Sequence, residues 1–250
     1  MRLFALLTCL LVGCLAEKPH PCTSPALLSG ALTVVSVCFK MFCEHNKAGP
    51  NHNDLTYTIT TCKLTYIISL QSTQNEKLWT YSQYMYDALG QRIRLKEMGT
   101  YENKSFTYDA LLLFREATMF EINNHDRTCK KKPLKVDFQP LEIPKTASLL
   151  GQAVIGSSSG PGQGLLVNTW IGDLPKKAGK FMSTVTEFGC IPVSNVYHTD
   201  QFGWVLTSFF NNVIGLSDPS QLNPPDFCPD AEMESTEEPT DFLSLFLSNH

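Results

Sequence analysis

Apolar and polar positions in this chain follow the two-residue period of strands far more than the period of helices. The clearest stretch is Tyr108–Cys129. Ala110–Phe114 is an unbroken apolar run, too short for a globular helix, and beyond Arg115-Glu116-Ala117 the pattern becomes alternating, with Phe120 and Ile122 on one face and Glu121 on the other. This predicts a β-hairpin whose first strand is buried on both faces and whose second has one polar face. Asn123-Asn124-His125-Asp126 ends the pairing, because Asn and Asp bond to their own backbone and tolerate turn geometries. The basic run Lys130-Lys131-Lys132-Pro133 after Cys129 reads as a turn. A strand apolar on both faces needs two covers. With few helices available, a bound lipid or a second copy of the chain is what remains to supply the second.

A second hairpin is nearly as clear. Trp79–Tyr86 reads as a strand and Asp87-Ala88-Leu89-Gly90 as its turn, while Gln91–Met98 alternates Ile93 and Leu95 against Arg92, Arg94 and Lys96, predicting one wet face. Ala31–Phe39, Leu165–Ile171, Phe181–Val185 and Gly203–Phe210 are further strands. Leu55–Leu70 fits poorly, since its apolar phase shifts near Cys62, from Tyr57 and Ile59 to Leu64, Tyr66, Ile68 and Leu70, which requires a bulge or break. Asn223–Asp226 is a rigid loop into Cys228. Beyond it lies an acidic tail, residues 230–250, ending in a short amphipathic piece, Asp241–Leu247.

The N-terminus changes the picture. Met1–Ala16 has one positive charge, Arg2, an apolar core and small residues at its end, the pattern of a signal peptide cut after Ala16. Glu17-Lys18-Pro19 interrupts the run before the roughly 20 apolar residues of a membrane helix are reached, and no other stretch is long enough to span a bilayer. Leu11-Val12-Gly13-Cys14 also fits a bacterial lipoprotein box, the weaker alternative. Removing the signal leaves seven of the 9 cysteines, an odd count, in a compartment where widely spaced cysteines form disulfides. The remaining chain suits one large all-β domain, residues 17–229. Asn103-Lys104-Ser105 is the one glycosylation sequon, which predicts a surface position for Asn103.

Charge is unevenly divided. Every Lys and Arg lies at or before residue 180, whereas ten of the 24 Asp and Glu lie beyond it. That split argues against nucleic acid as a partner and favours attraction between the two ends or cation binding at the acidic one. Asp226, Asp230, Glu232, Glu234, Glu237 and Glu238 are candidate calcium ligands, but without the spacing or turn glycine of an EF-hand, so their binding would be diffuse. Cys38, Cys43 and His45 lie close together without a second ligand pair at zinc-finger spacing. Gly156-Ser157-Ser158-Ser159-Gly160 matches a nucleophile elbow formally, yet Pro161-Gly162-Gln163-Gly164 follows and no helix can begin there. Ser158 and scattered histidines make a poor hydrolase, and no organic cofactor motif stands out.

With these pieces in view the chain resembles the ependymin family. The matching stretches are Pro21-Cys22 with Pro25, Tyr86–Arg94, Ala110–Asn123 with Cys129, Pro140–Pro144, Thr169–Gly172, Gly189–Val193 around Cys190, and Ser208–Cys228. The resemblance implies an all-β fold of two stacked antiparallel sheets in a half-open barrel, similar to bacterial lipoprotein carriers, with an apolar pocket that takes a lipid or fatty-acyl ligand. It also implies a secreted, extracellular or lysosomal glycoprotein, a homodimer, weak calcium binding and adhesion to the extracellular matrix, without enzymatic activity. By the family pattern Cys22 pairs with Cys190 and Cys129 with Cys228. Leu112, Phe114, Phe120, Ile122, Trp170, Trp204 and Phe209 are candidates for the pocket wall, and Arg127, Lys130, Lys131, Lys132 and Lys135 for its mouth. The chain departs from the pattern at Val37–Gln74, an insertion carrying Cys38, Cys43 and Cys62. A translated intron is the preferred reading of it, a genuine elaboration the alternative.

Overall fold

The computed structural model describes residues 18–37, 78–101, 104–174, 179–199 and 203–228, together with Ala231 and Met233. The signal segment, Asn103, Cys38, Cys43, Cys62 and the acidic residues Asp230, Glu232, Glu234, Glu237 and Glu238 lie outside the described residues, as does the insertion beyond Val37.

The described chain is all-β and antiparallel. Its strands are β1 (Leu27–Val37), β2 (Leu78–Asp87), β3 (Arg92–Tyr101), β4 (Lys104–Leu113), β5 (Thr118–Asn123), β6 (Thr128–Pro133), β7 (Ser148–Gly156), β8 (Gly164–Asp173), β9 (Lys180–Thr186), β10 (Pro192–Thr199) and β11 (Gly203–Ile214). They form one open sheet in the order β6-β5-β4-β3-β2-β1-β11-β10-β9-β8-β7. The division expected between two sheets therefore falls within a single ladder: two meanders, β2–β6 and β7–β11, are joined through β1, which pairs with both β2 and β11. Leu28, Leu32 and Val34 of this seam strand are almost fully buried. Among the described residues there is no α-helix, only 3-10 turns at Phe114–Glu116 and Pro219–Leu222, and no helix is long and apolar enough to cross a membrane.

Alternation sorts the side chains into cores on the two faces of the sheet. Ala110 and Leu112 of β4 join Leu28, Leu32, Val34, Tyr84, Tyr86, Leu95, Met119, Val205 and Phe209 on one face. Leu111 and Leu113 turn to the other, with Phe120 and Ile122. The linker after β6 crosses the first face, where Phe138 stacks on Tyr86 at 5.8 Å and meets the Phe114 ring edge-on at 5.2 Å. The second face is covered by the chain's own C-terminal segment, through Leu216, Leu222, Phe227 and Cys228. Neither a lipid nor a second copy is needed there. A third cluster, Ile143, Trp170, Val185 and Cys190, packs around the Cys22–Cys190 bridge.

Three local expectations change. Lys130–Pro133 is the edge strand β6, paired with β5, and not a turn. The face of β3 expected to be wet is covered as well: Arg92 donates to Asn223 Oδ1 at 3.0 Å, Arg94 to Gln221 O at 2.7 Å and Lys96 to Gln221 Oε1 at 3.0 Å, so all three cations reach the C-terminal segment. Ser148–Gly156, without a strand signal of its own, is β7, with a bulge against β8 between Leu149 and Gly151.

Candidate functional site

The seven pocket candidates are not brought together. Leu112 and Phe209 are buried in the first core, with Phe114 packed against it. Phe120 and Ile122 face the other way, beneath the C-terminal segment. Trp170 belongs to the third cluster, and Trp204 is half-buried on β11, on the face opposite its neighbour Val205. The basic residues are dispersed too. Arg127 pairs with Asp226 at 3.2 Å and lies over the Phe227 ring, Lys131 lies 5.8 Å above Phe120, and Lys132 is salt-bridged to Glu121.

Asp226 is thereby engaged by a cation, and among the described residues no group of three His, Cys, Asp or Glu stands close enough to hold a metal. Asp226 is the one calcium candidate among the described residues. Ser158 lies in the loop between β7 and β8, and a strand, not a helix, follows it. The strand-to-helix turn that exposes an activated serine does not form there.

The first core does contain a concentration of polar chemistry that its hydrophobic composition does not explain. On β2, Thr80 and Ser82 share the face of Tyr84 and Tyr86, and both are fully buried. Ser82 is paired in register with Glu97 of β3, and its hydroxyl donates to Glu97 Oε1 at 2.6 Å. Glu97 is only 6% exposed. Burial raises its pKa to about 7 against the opposing hydrogen bond from Ser82, so near neutrality the carboxyl is partly protonated and able to donate. Thr80 Oγ1 is buried without a hydrogen-bond partner. Leu32 and Val34 of β1 lie directly beside Ser82 and Thr80 in the ladder. Beyond Glu97 on β4, Tyr108 donates its hydroxyl to Glu121 at 3.1 Å.

A buried hydroxyl left unpaired costs on the order of 1–3 kcal/mol. A buried carboxyl beside it compounds the cost. Buried polar groups are ordinarily paired, so such groups in an otherwise apolar face call for an explanation. The sequence carries the signal: Glu97 stands in the apolar phase of Ile93 and Leu95, and Thr80 and Ser82 in the phase of Tyr84 and Tyr86.

Two disulfides tie this sheet to distant chain. Cys22 is bonded to Cys190 and Cys129 to Cys228, with Cα atoms 6.0 and 5.2 Å apart, the pairs that the resemblance implies. One open antiparallel sheet, anchored at both halves by long-range disulfides, defines an all-β protein of the disulfide-stapled kind that oxidising compartments permit. The ependymin family model matches residues 102–228. Ependymin-2 of Carassius auratus is 28% identical over 96% of this chain and 97% of its own length, and Ependymin-1 of Oncorhynchus mykiss 29% over 80% and 89%. Mammalian ependymin-related protein 1 of Mus musculus is 30% identical over 60% of this chain and 66% of its own length. The chain belongs to the ependymin family, whose proteins are secreted.

Proposed function

We propose that this is a secreted, non-enzymatic protein that binds a lipid-like ligand on the first core face of its open sheet, with the ligand's polar head at Thr80 and Glu97. The observation that carries this reading is the Thr80 hydroxyl, fully buried without a partner, two residues from the Ser82 that bonds the buried Glu97. A head with a carbonyl or hydroxyl oxygen, as in a fatty-acyl ligand, accepts from Thr80 and from the protonated form of Glu97. The acyl chain finds Leu32, Val34, Val205 and Phe209 on the same face.

The test is extraction of the purified protein into organic solvent with mass spectrometry of the extract, followed by titration with a fluorescent fatty acid. Thr80→Val keeps the side chain's shape and removes the hydroxyl. It should weaken fatty-acid binding about tenfold, the loss of one hydrogen bond worth about 1.4 kcal/mol, while leaving the melting temperature equal or higher. Absence of extractable lipid together with unchanged binding in Thr80→Val would defeat the proposal.

A further inference from the structure

β6 ends the sheet on one side. It pairs with β5 along its inner edge, and among the described residues its outer edge is met at one point, a parallel bridge between Lys131 and Met233. Ala231 and Met233 are the last described residues. They are brought to β6 by the Cys129–Cys228 disulfide, whose Cα atoms are 5.2 Å apart, and by a turn in which Ala231 N donates to Cys228 O at 3.1 Å. The chain after Cys228 therefore starts beside β6 and runs in the same direction as that strand. The outer edge of a strand presents N–H and C=O groups that a further strand can take up.

The side chains of the two segments are complementary in the register of that bridge. Moving one residue either way from it sets Glu232 against Lys130 and Glu234 against Lys132. Ladder partners share a face, and faces alternate along a strand. Both acid–lysine levels thus fall on the face where Lys132 already meets Glu121, while Met233 falls on the face where Lys131 lies 5.8 Å from the centre of the Phe120 ring. Lys130 stands exposed opposite Glu121, whose carboxylate is taken by Lys132 and Tyr108. A shift of one residue in either direction sets one acid against Pro133 or Cys129 and leaves one pair unmade. We propose that the acidic segment after Cys228 docks on β6 as a further, parallel strand, held by Glu232 at Lys130 and Glu234 at Lys132. The occupant of this sheet edge is the chain's own tail, and the cations these two acids meet are lysines of the same molecule. This rests on the edge strand and its bridge to Met233 and is independent of any ligand on the core face.

The experiment is hydrogen exchange read by mass spectrometry on the mature, disulfide-intact protein at low salt, following the peptide that contains Met233 and Glu234. Exchange there should be slower than in the same sequence as a free peptide, and the slowing should diminish at about 1 M NaCl, where the screening length is about 3 Å. Lys130→Glu should speed exchange by about threefold or more, the scale of one exposed ion pair lost and one repulsion gained. Combining Lys130→Glu with Glu232→Lys should restore the slower rate. Lys180→Glu, an exposed position on β9 in the other half of the sheet, should leave it unchanged. Exchange in the wild-type chain as fast as in the free peptide overturns the docking. Protection that Lys130→Glu leaves intact, or that the double substitution fails to restore, overturns the pairing of Glu232 with Lys130.

Discussion

Arg94 and Asp109 form a two-point ion pair across β3 and β4, with Nε to Oδ1 at 2.9 Å and Nη2 to Oδ2 at 2.8 Å, and the Arg94 side chain is only 7% exposed. The remaining guanidinium nitrogen donates to Gln221 O, and Asn124 Nδ2 donates to Asp109 Oδ2 at 2.8 Å. One buried pair thus locks the C-terminal segment and the β5–β6 turn onto the sheet. Removing one partner leaves the other charge buried alone, so Arg94→Ala should cost about 3–5 kcal/mol in chemical denaturation. Replacing both, Arg94→Met with Asp109→Leu, should recover most of that loss. A double variant no better than the single would show that the charges stabilise the fold by themselves.

Glu97 sets a pH dependence of defined sign. Its pKa rises from 4.5 to about 7 on folding, so between those values the folded state holds a proton that the unfolded state releases. Stability should be unaffected by this group below pH 4.5, fall as pH rises toward 7 and level off above it, by about 3 kcal/mol in all. Glu97→Gln should remove that component. Urea midpoints taken from pH 4.5 to 8.5 on both chains measure it, and equal slopes in the two would assign the dependence to other groups.

The Cys129–Cys228 bridge holds the cover of the second core. Ile122 sits opposite Cys129 in the ladder, and Leu111, Phe120 and Leu222 pack with Cys228. Replacing both cysteines by alanine should cost about 2–5 kcal/mol and raise binding of a hydrophobic dye as Leu111 and Phe120 become accessible. The same change at Cys22 and Cys190 should loosen the Trp170 cluster instead, read from Trp fluorescence. Identical responses from the two variants would contradict this division of labour.

Residues 38–77 depart from and return to one place. β1 and β2 are neighbouring antiparallel strands, with Val35 opposite Trp79, and Leu78 N donates to Ser36 Oγ at 3.2 Å. A tight turn can therefore replace everything between them without disturbing a described ladder. Deleting residues 38–77 in favour of Asn-Gly should yield a protein that is secreted and melts within a few degrees of the parent. Loss of secretion would show that the segment belongs to the fold.

Much of the ladder is legible in the sequence because alternation is a local property. Ala110–Leu113 had to be buried on both faces, and Ile93 and Leu95 had to face opposite Arg94 and Lys96, whatever the tertiary fold. What covers each face is not local. The cations of β3 are roofed by Gln221–Asn223, more than a hundred residues away in the chain, and the same segment takes the place beside Phe120 and Ile122 that composition alone leaves for a ligand. β7 escaped notice for a related reason: alternation arises where one face of a strand is buried and the other is not, and at this edge neither face is covered. Glu97 lies between the two cases. Its phase along β3 already pointed it into the apolar face, but only the pairing of β3 with β2 set Ser82 against its carboxyl and brought the unpartnered Thr80 beside them. Burial there, which decides the protonation of Glu97, is a property of the assembled sheet and of no shorter stretch of chain.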